Sequence, residues 1–310
     1  IIGYCLKGYV IKKEINKVLA ISIVGFCAIV VAGLVAVVSV LNYKSYWTSN
    51  FDFGLFSQMF HYMKETFQPL STSERDGLLS HFAVHFSPIF YLLLPIYYVF
   101  PSPITLLVMQ GIITVSGVIP VWLISRKYKH STFATMLLSL CYLGLPPIFG
   151  GNMYYIHENV FLAPLLLWLF YFTEKKSYIW ASVFALLVLF VKEDAAIYII
   201  FFGLYLIVSK KNVKLGAGLT AFAVMYFIVV TGLMEVYGEG VMSDRFGNYS
   251  IDGEPVTVLS VFLVVFKNPS YFLSTCFNIE KIEFLLKLFL PVMFIPFITH
   301  KYSRFILLGP

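Results

Sequence analysis

Residues 178–208 read YIWASVFALLVLFVKEDAAIYIIFFGLYLIV, an apolar run that the charged triplet 192–194 interrupts. As one helix the run would be about 46 Å long, well beyond the roughly 30 Å of a bilayer's hydrocarbon core. One crossing would also place the basic residues that follow the run on the opposite side from the other basic loops of the chain. The run therefore predicts two short helices, 178–191 and 195–208, that meet at the three charges.

The composition of the whole chain agrees with a membrane setting. Hydrophobic residues make up 59% of the 310 residues, charged residues only 12%, and the mean hydropathy is +0.84. A soluble domain of this length cannot bury so much apolar surface. The apolar residues form long runs without the alternation of a barrel strand, so we predict an all-α polytopic membrane protein.

Eight apolar segments meet the requirements of membrane-spanning helices, given that a crossing needs roughly 20 mostly apolar residues. The predicted spans are 18–41, 103–124, 131–149, 159–173, 178–191, 195–208, 214–234 and 282–299. We expect residues 1–310 to form a single transmembrane domain, as a fragment that lacks further spans at its C-terminus.

The distribution of charge orients these spans. With the N-terminus in the cytoplasm, fourteen of the 22 basic residues but only Glu14 and Glu174 of the 16 acidic ones lie inside, as the positive-inside rule requires. The basic residues are Lys7, Lys12, Lys13, Lys17, Arg126, Lys127, Lys129, Lys175, Lys176, Lys210, Lys211, Lys214, Lys301 and Arg304. We therefore expect a multi-pass membrane protein with a cytoplasmic N-terminus, whose inner loops face anionic lipid.

Residues 42–102 form a large first outer loop on this topology. Two stretches within it, 53–67 and 86–100, are apolar at helical spacing but too short or too rich in proline to span, and we expect juxtamembrane helices. A re-entrant hairpin or a short crossing is the alternative for the second stretch. A crossing near 256–277 would likewise reverse the C-terminal end.

Four separate outer segments carry ionisable residues that the topology brings to one face of the membrane. A catalytic cavity that opens outward would need such groups to move protons, to neutralise a phosphate or metal and to hold a polar substrate. The candidates are Asp52, His81, His85, His157, Glu158, Lys192, Glu193 and Asp194.

Each candidate also has a structural interpretation. Asp52 could cap the helix predicted to follow it. The i, i+4 pair of His81 and His85 lacks the intervening glutamate of a zinc protease motif. Residues 157–158 fit a short solvent-exposed turn, and the triplet 192–194 could neutralise itself, although charges below the membrane surface favour function.

Several motifs together resemble a family of prokaryotic membrane proteins known as domain of unknown function 2079, itself similar to the GT-C glycosyltransferase superfamily. The resemblance covers the chain from about residue 40 onward. The motifs are FDFGLFSQ at 51–58, HFSPIFYLLLPIY at 85–97, FPSP at 100–103 with Gln110, and VKEDAA at 191–196.

The resemblance implies a GT-C-like membrane enzyme that transfers a sugar from a polyprenyl-phosphate donor on the extracytoplasmic side. Asp52 takes the place of the acid in the first outer loop, as general base or as a ligand of the acceptor and of any Mg or Mn. Phe53 follows it where many GT-C enzymes have a second acid. We assign catalytic roles to Asp52, Glu193 and Lys192, and substrate binding to His81, His85, His157, Glu158 and Asp194.

Direct attack by the acceptor would make the transfer inverting. A membrane transporter with its binding site at 192–194, or a non-catalytic relative that binds lipid, remains the alternative. Neither a nucleotide-binding glycine loop nor a nucleic-acid signature occurs in the sequence.

Overall fold

A computed structural model of the protein describes residues 13–48, 50–75, 77–153, 155–238, 258–290 and 294. The first element of the described residues is the long helix α1, and the loop after it carries a helix, a hairpin and a further short helix. These elements are α1 Lys17–Lys44, α2 Asn50–Thr66, β1 Leu70–Arg75, β2 Gly77–Ser80 and α3 Leu94–Val99.

Helices dominate the remainder of the described chain. The middle elements are α4 Pro103–Ser116, α5 Val118–Lys127, α6 Thr132–Leu143, α7 Pro146–Met153, α8 Leu162–Glu174, α9 Tyr178–Leu189, α10 Ala196–Lys210 and α11 Val213–Tyr237. Three short helices follow, α12 Val258–Lys267, α13 Pro269–Cys276 and α14 Ile279–Phe289.

Four helical segments of the described chain are long and apolar enough to cross a membrane. They match the predicted spans 18–41, 103–124, 131–149 and 214–234. The segments are α1, α4 continuing into α5, α6 continuing into α7, and α11. The membrane protein predicted from composition is therefore confirmed, and most of its large exposed side chains on α1 and α11 are aliphatic or aromatic.

The other predicted spans are helical but short. Helices α8, α9 and α10 occupy the segments predicted at 159–173, 178–191 and 195–208, yet their 12 to 15 residues reach only about 18–22 Å. The last predicted span, 282–299, is described only as far as residue 290 and at 294, within and beyond α14. Eight crossings therefore remain a prediction.

The charged triplet separates α9 from α10 as expected. Helix α9 ends at Leu189, a single 3-10 turn spans Glu193–Ala195, and α10 begins at Ala196. Lys192 has an extended backbone, with φ −166° and ψ 160°, so it cannot continue a helix.

A hairpin makes the all-α prediction wrong in one detail. Strands β1 and β2 pair antiparallel, with Leu70 opposite Ser80 and Ser71 opposite Leu79. The polar β1 is held against α2 by Gln58, whose amide accepts hydrogen bonds from the Ser71 hydroxyl at 3.0 Å and from the Thr72 N–H at 3.0 Å. The short hairpin is thus part of the loop's packing.

The two apolar stretches of the loop pack against protein. The stripe predicted to face the membrane surface is buried at Phe53, Phe56, Phe60 and Met63. Phe60 contacts Phe90 and Tyr97 of the second stretch, with ring centroids 5.6 and 5.3 Å apart. The expectation that the stripe lies against lipid is wrong, because the two stretches bury their apolar faces in each other.

The second stretch is also broken into a 3-10 turn, Pro88–Leu92, and the short helix α3. Its Ile89 N–H donates a hydrogen bond of 2.9 Å to the Phe190 carbonyl, just after the end of α9. The loop is therefore fastened by backbone to the charged break between α9 and α10.

Helices α10 and α11 approach closely at two glycines. A Cβ added to Gly203 would lie 2.7 Å from the Gly216 carbonyl oxygen, and one added to Gly216 would lie 2.6 Å from the Gly203 carbonyl oxygen. Such close backbone contact requires residues without side chains, as in many membrane helix pairs. This contact fixes α10, and with it the end of the charged break.

Candidate functional site: a histidine cluster

Three histidines near the charged break are each held by a carboxylate through the same ring nitrogen, Nδ1. The pairs are His81 with Glu74 at 2.9 Å, His85 with Glu193 at 2.9 Å, and His157 with Glu158 at 3.2 Å. In His81 and His85, a carboxylate hydrogen-bonded to Nδ1 favours the tautomer with its proton there, so that Nε2 of the neutral ring is the basic atom. The Nδ1 atom of His157 instead accepts a 3.4 Å hydrogen bond from the Asn159 N–H. The arrangement orients three imidazoles.

The first pair depends on the hairpin. Glu74 belongs to β1, and His81 opens a 3-10 turn directly after β2. Both side chains are buried, and the His81 Nε2 atom has no hydrogen-bond partner among the described residues.

The second pair joins the outer loop to the break after α9. Glu193 accepts a hydrogen bond from His85 Nδ1 through one oxygen and a 3.0 Å bond from the Phe86 N–H through the other. Burial raises the pKa of Glu193, but these bonds and the nearby imidazole outweigh burial and leave the pKa below its usual range. Glu193 is therefore an anion fastened to the loop.

The third pair includes the lysine of the triplet. Glu158 is fully buried, and its two oxygens lie 3.2 Å from Lys192 Nζ and 3.2 Å from His157 Nδ1. The angles of these contacts depart from hydrogen-bond geometry, so charge attraction carries the contact between Glu158 and Lys192. Burial, the largest influence, lowers the pKa of His157, whereas Glu158 raises it.

Two structural interpretations of the sequence are wrong here. The segment 157–158 is not simply a solvent-exposed turn, because Glu158 is buried. The triplet does not neutralise itself either, because Lys192 pairs with Glu158 and Glu193 pairs with His85. Lys192 and Glu193 thus each have a partner from a distant part of the chain.

Phe56 of α2 connects the three pairs. Its ring centroid lies 5.4 Å from that of His81 and 5.9 Å from that of His157, and the rings of His81 and His85 are 5.9 Å apart. We call the group formed by Glu74, His81, His85, His157, Glu158, Lys192 and Glu193 the histidine cluster.

Asp52 lies one helical turn before Phe56 and therefore on the same face of α2. It is half-buried within the first turn of the helix, which begins at Asn50, so it does not cap a helix that starts after it. Its neighbour Phe53 contacts Tyr155, two residues before His157, with ring centroids 6.0 Å apart.

Three members of the cluster are partly exposed. The side chains of His157, His85 and Lys192 are 31%, 20% and 13% exposed, whereas His81 is buried. Asp194 is exposed beside Lys192. A ligand that reaches these side chains would meet two imidazoles and an ammonium.

The arrangement of the acids and histidines bears on the metal ion expected at Asp52. Among the described residues, no group of three or more His, Cys, Asp or Glu side chains is arranged to hold a metal ion. The Mg or Mn expected at Asp52 thus stays a prediction from the resemblance.

The sequence model of a family described as "Predicted membrane protein (DUF2079)" matches residues 42–304. The chain belongs to the DUF2079 family. The match includes every member of the histidine cluster and Asp52. No curated protein and no solved structure matches the chain.

In this DUF2079 protein, sequence reasoning missed Glu74. A carboxylate in the polar run Leu70–Arg75 looks like any solvated loop residue, and only the hairpin brings it to His81, seven positions later. Sequence reasoning also missed Phe56 as the link between histidines, because its place in the apolar stripe of α2 predicted contact with lipid. Neither role has a clear signal in a single sequence.

Proposed function

We propose that this protein is a GT-C-like glycosyltransferase that moves a sugar from a polyprenyl-phosphate carrier to an acceptor hydroxyl. The reaction would take place at the extracytoplasmic face of a prokaryotic plasma membrane. The observation that carries the proposal is the histidine cluster, where two partly exposed imidazoles and an ammonium are oriented by buried carboxylates. Cationic and hydrogen-bonding groups held in this way suit a departing phosphate.

The bond that breaks joins the anomeric carbon of the sugar to a phosphate oxygen. The acceptor oxygen forms a new bond to that carbon, the electron pair of the broken bond stays on the phosphate, and the acceptor proton passes to a base. Lys192, with His157 and His85 when they are protonated, would stabilise the phosphate charge. Attack from the opposite side inverts the anomeric configuration.

Asp52 is the proposed base. It lies on the face of α2 that carries Phe56, and Phe56 contacts the rings of His81 and His157. A half-buried carboxylate there could accept the proton of a hydroxyl or orient it.

The remaining acids would position the cations and the sugar. Glu158 holds Lys192 and His157, Glu193 holds His85, and Glu74 holds His81 behind them. Asp194, exposed beside Lys192, is the acid of this group best able to bind sugar hydroxyls.

The distribution of basic residues supports an extracytoplasmic position for the histidine cluster. The residues of the cluster precede or follow spans at the ends opposite the basic loops, which the positive-inside rule assigns to the cytoplasm. A donor displayed on the outer surface would reach them without crossing the membrane.

The test is consumption of a radiolabelled polyprenyl-phosphate hexose by protein purified in detergent. We expect turnover by the wild type and a loss of at least about a hundredfold in Asp52→Asn, in line with general-base catalysis. The matched control is Glu65→Gln on the same helix, since Glu65 pairs with the neighbouring surface residue Lys64.

Two results would contradict the proposal. Wild-type protein that consumes none of a panel of lipid-linked hexoses is not such a transferase, and full turnover in Asp52→Asn removes Asp52 from the mechanism. The helix break between α9 and α10 favours transport as the second candidate. A transporter would move solute in sealed vesicles and leave the carrier lipid intact in detergent.

A further inference from the structure

A cavity lies along α2, and the residues that line it differ from those of the histidine cluster. Its volume is about 620 Å³, within the roughly 300–1,000 Å³ of small-molecule sites. The residues that line it are Tyr43, Tyr46, Thr48, Phe53, Gly54, Ser57, Gln58, His61, Tyr97, Pro101 and Pro103. They come from the end of α1, from α2, from α3 and from the start of α4.

The cavity and the cluster lie on different faces of α2. Gly54, Ser57 and His61 recur at helical spacing along the cavity, whereas Asp52 and Phe56 lie about half a turn away around the helix axis. The cavity is thus a separate site, with α2 as the wall between the two.

The polar groups of the cavity are mostly unengaged. Within the described part of the chain, six of the lining side chains that carry a hydroxyl or an imidazole make no side-chain hydrogen bond. These are Tyr43, Tyr46, Thr48, Ser57, His61 and Tyr97. A ligand rich in hydroxyl groups could bind several of them at once.

The charge of the lining narrows the class of ligand. None of the eleven lining side chains carries a permanent charge. Phosphates and other ions would gain little here compared with water. A neutral polar ligand fits better.

The aromatic rings of the lining narrow the class of ligand further. Tyr43 and Tyr46 line the cavity with rings that are partly and almost fully exposed, whereas the rings of Phe53 and Tyr97 are buried in its wall. The face of an aromatic ring is electron-rich, so it attracts the polarised C–H groups that one face of a pyranose ring presents. Aromatic faces next to unengaged hydroxyls are the chemistry that recognises a sugar.

We propose that this cavity binds a neutral saccharide of one or two pyranose rings. The inference needs binding alone, so it does not depend on the transfer reaction proposed for the histidine cluster. If both hold, the cavity would receive the sugar portion of an acceptor.

The test is saturation-transfer NMR on the full chain, in a detergent without a sugar head group. The probes are methyl glycosides of glucose, mannose, galactose and N-acetylglucosamine, together with maltose and cellobiose. We expect saturation of pyranose ring protons with the wild type and a measurable Kd by calorimetry for at least one probe.

Gly54→Leu is the decisive variant. An added Cβ at Gly54 would meet no atom within 4 Å, so a leucine side chain can enter the cavity without disturbing the fold. We expect the affinity to fall by more than about tenfold. The matched control is Gly33→Leu in α1, where an added Cβ also meets nothing within 4 Å and which lies away from the cavity.

Three outcomes would overturn the inference. No probe saturates with the wild type, Gly54→Leu binds as tightly as the wild type, or inositol phosphate binds the cavity more tightly than the neutral sugars. Saccharide binding without consumption of a lipid-linked sugar would keep this inference and end the proposed transferase.

Discussion

The two sides of helix α2 differ in how their polar groups are satisfied. On one side, the histidine cluster buries Glu158 completely and supplies it with Lys192 and His157. On the other, several hydroxyl groups that line a neutral cavity make no side-chain hydrogen bond to the described residues. A buried charge without a partner is very costly, whereas a hydroxyl group at an open cavity can bind water. Charges are therefore committed to one another, and neutral groups stay available.

The largest effect should come from removing the buried charge of the cluster. Glu158→Gln leaves Lys192 and His157 without their carboxylate, and breaking such a pair costs about 3–5 kcal/mol. We expect the free energy of unfolding, measured by denaturant titration in micelles, to fall by that amount. The comparison would break if the loss were below about 1 kcal/mol.

An exposed ion pair provides the control for Glu158. Glu283 and Lys287 lie 2.7 Å apart on α14, with side chains 61% and 73% exposed. Surface pairs of this kind contribute about 0–1 kcal/mol, so Glu283→Gln should change stability little.

The cavity side should respond in the other direction. Gly54→Ala adds a Cβ that meets no atom within 4 Å, and alanine favours a helix over glycine by about 0.5–1 kcal/mol. We expect a gain of that size in the same titration. Gly203→Ala is the contrast, because its Cβ would lie 2.7 Å from the Gly216 carbonyl oxygen and should destabilise. A loss of stability in Gly54→Ala would show that the cavity wall has no room.

The smallest effect concerns pH. Burial keeps the pKa of His157 below 6.5, against the opposing influence of Glu158 and with support from Lys192, His85 and His81. The unfolded chain therefore takes up this proton more readily, so the contribution to stability is complete above about pH 6.5 and declines below it. We expect stability to fall slightly between pH 7.5 and 5.5.

The variant His157→Asn isolates this effect. It should give a flatter dependence of unfolding free energy on pH over the same window. A slope equal to that of the wild type would mean that His157 takes up protons equally in both states.

The long helices could be predicted because their signal is local. A run of about 20 apolar residues has one stable state in a bilayer, so α1, α11 and the two composite helices match their predicted spans closely. The packing of the loop was hidden, because an apolar stripe such as Phe56, Phe60 and Met63 reads the same whether it faces lipid or protein. Tertiary contact with the stretch around Phe90 decided it.

The candidate site follows the same division. The break at Lys192 was visible from helix length, and several of the ionisable residues singled out in distant segments lie close together. Which residue pairs with which was not visible, because Glu74 and Glu158 take their roles from a hairpin and from burial. Sequence reasoning thus found the ionisable residues on one face but not their partners.

Gln58 gives the two sides of α2 a shared support. Its amide lines the cavity and also holds Ser71 and Thr72 of β1, the strand that carries Glu74 to His81. A ligand in the cavity that competes for this amide would weaken the hydrogen bonds to β1. The position of Glu74, and with it the orientation of the His81 imidazole, would then change. Because such coupling is reciprocal, a ligand that holds the His81 imidazole more firmly must change the affinity of the cavity for its own ligand.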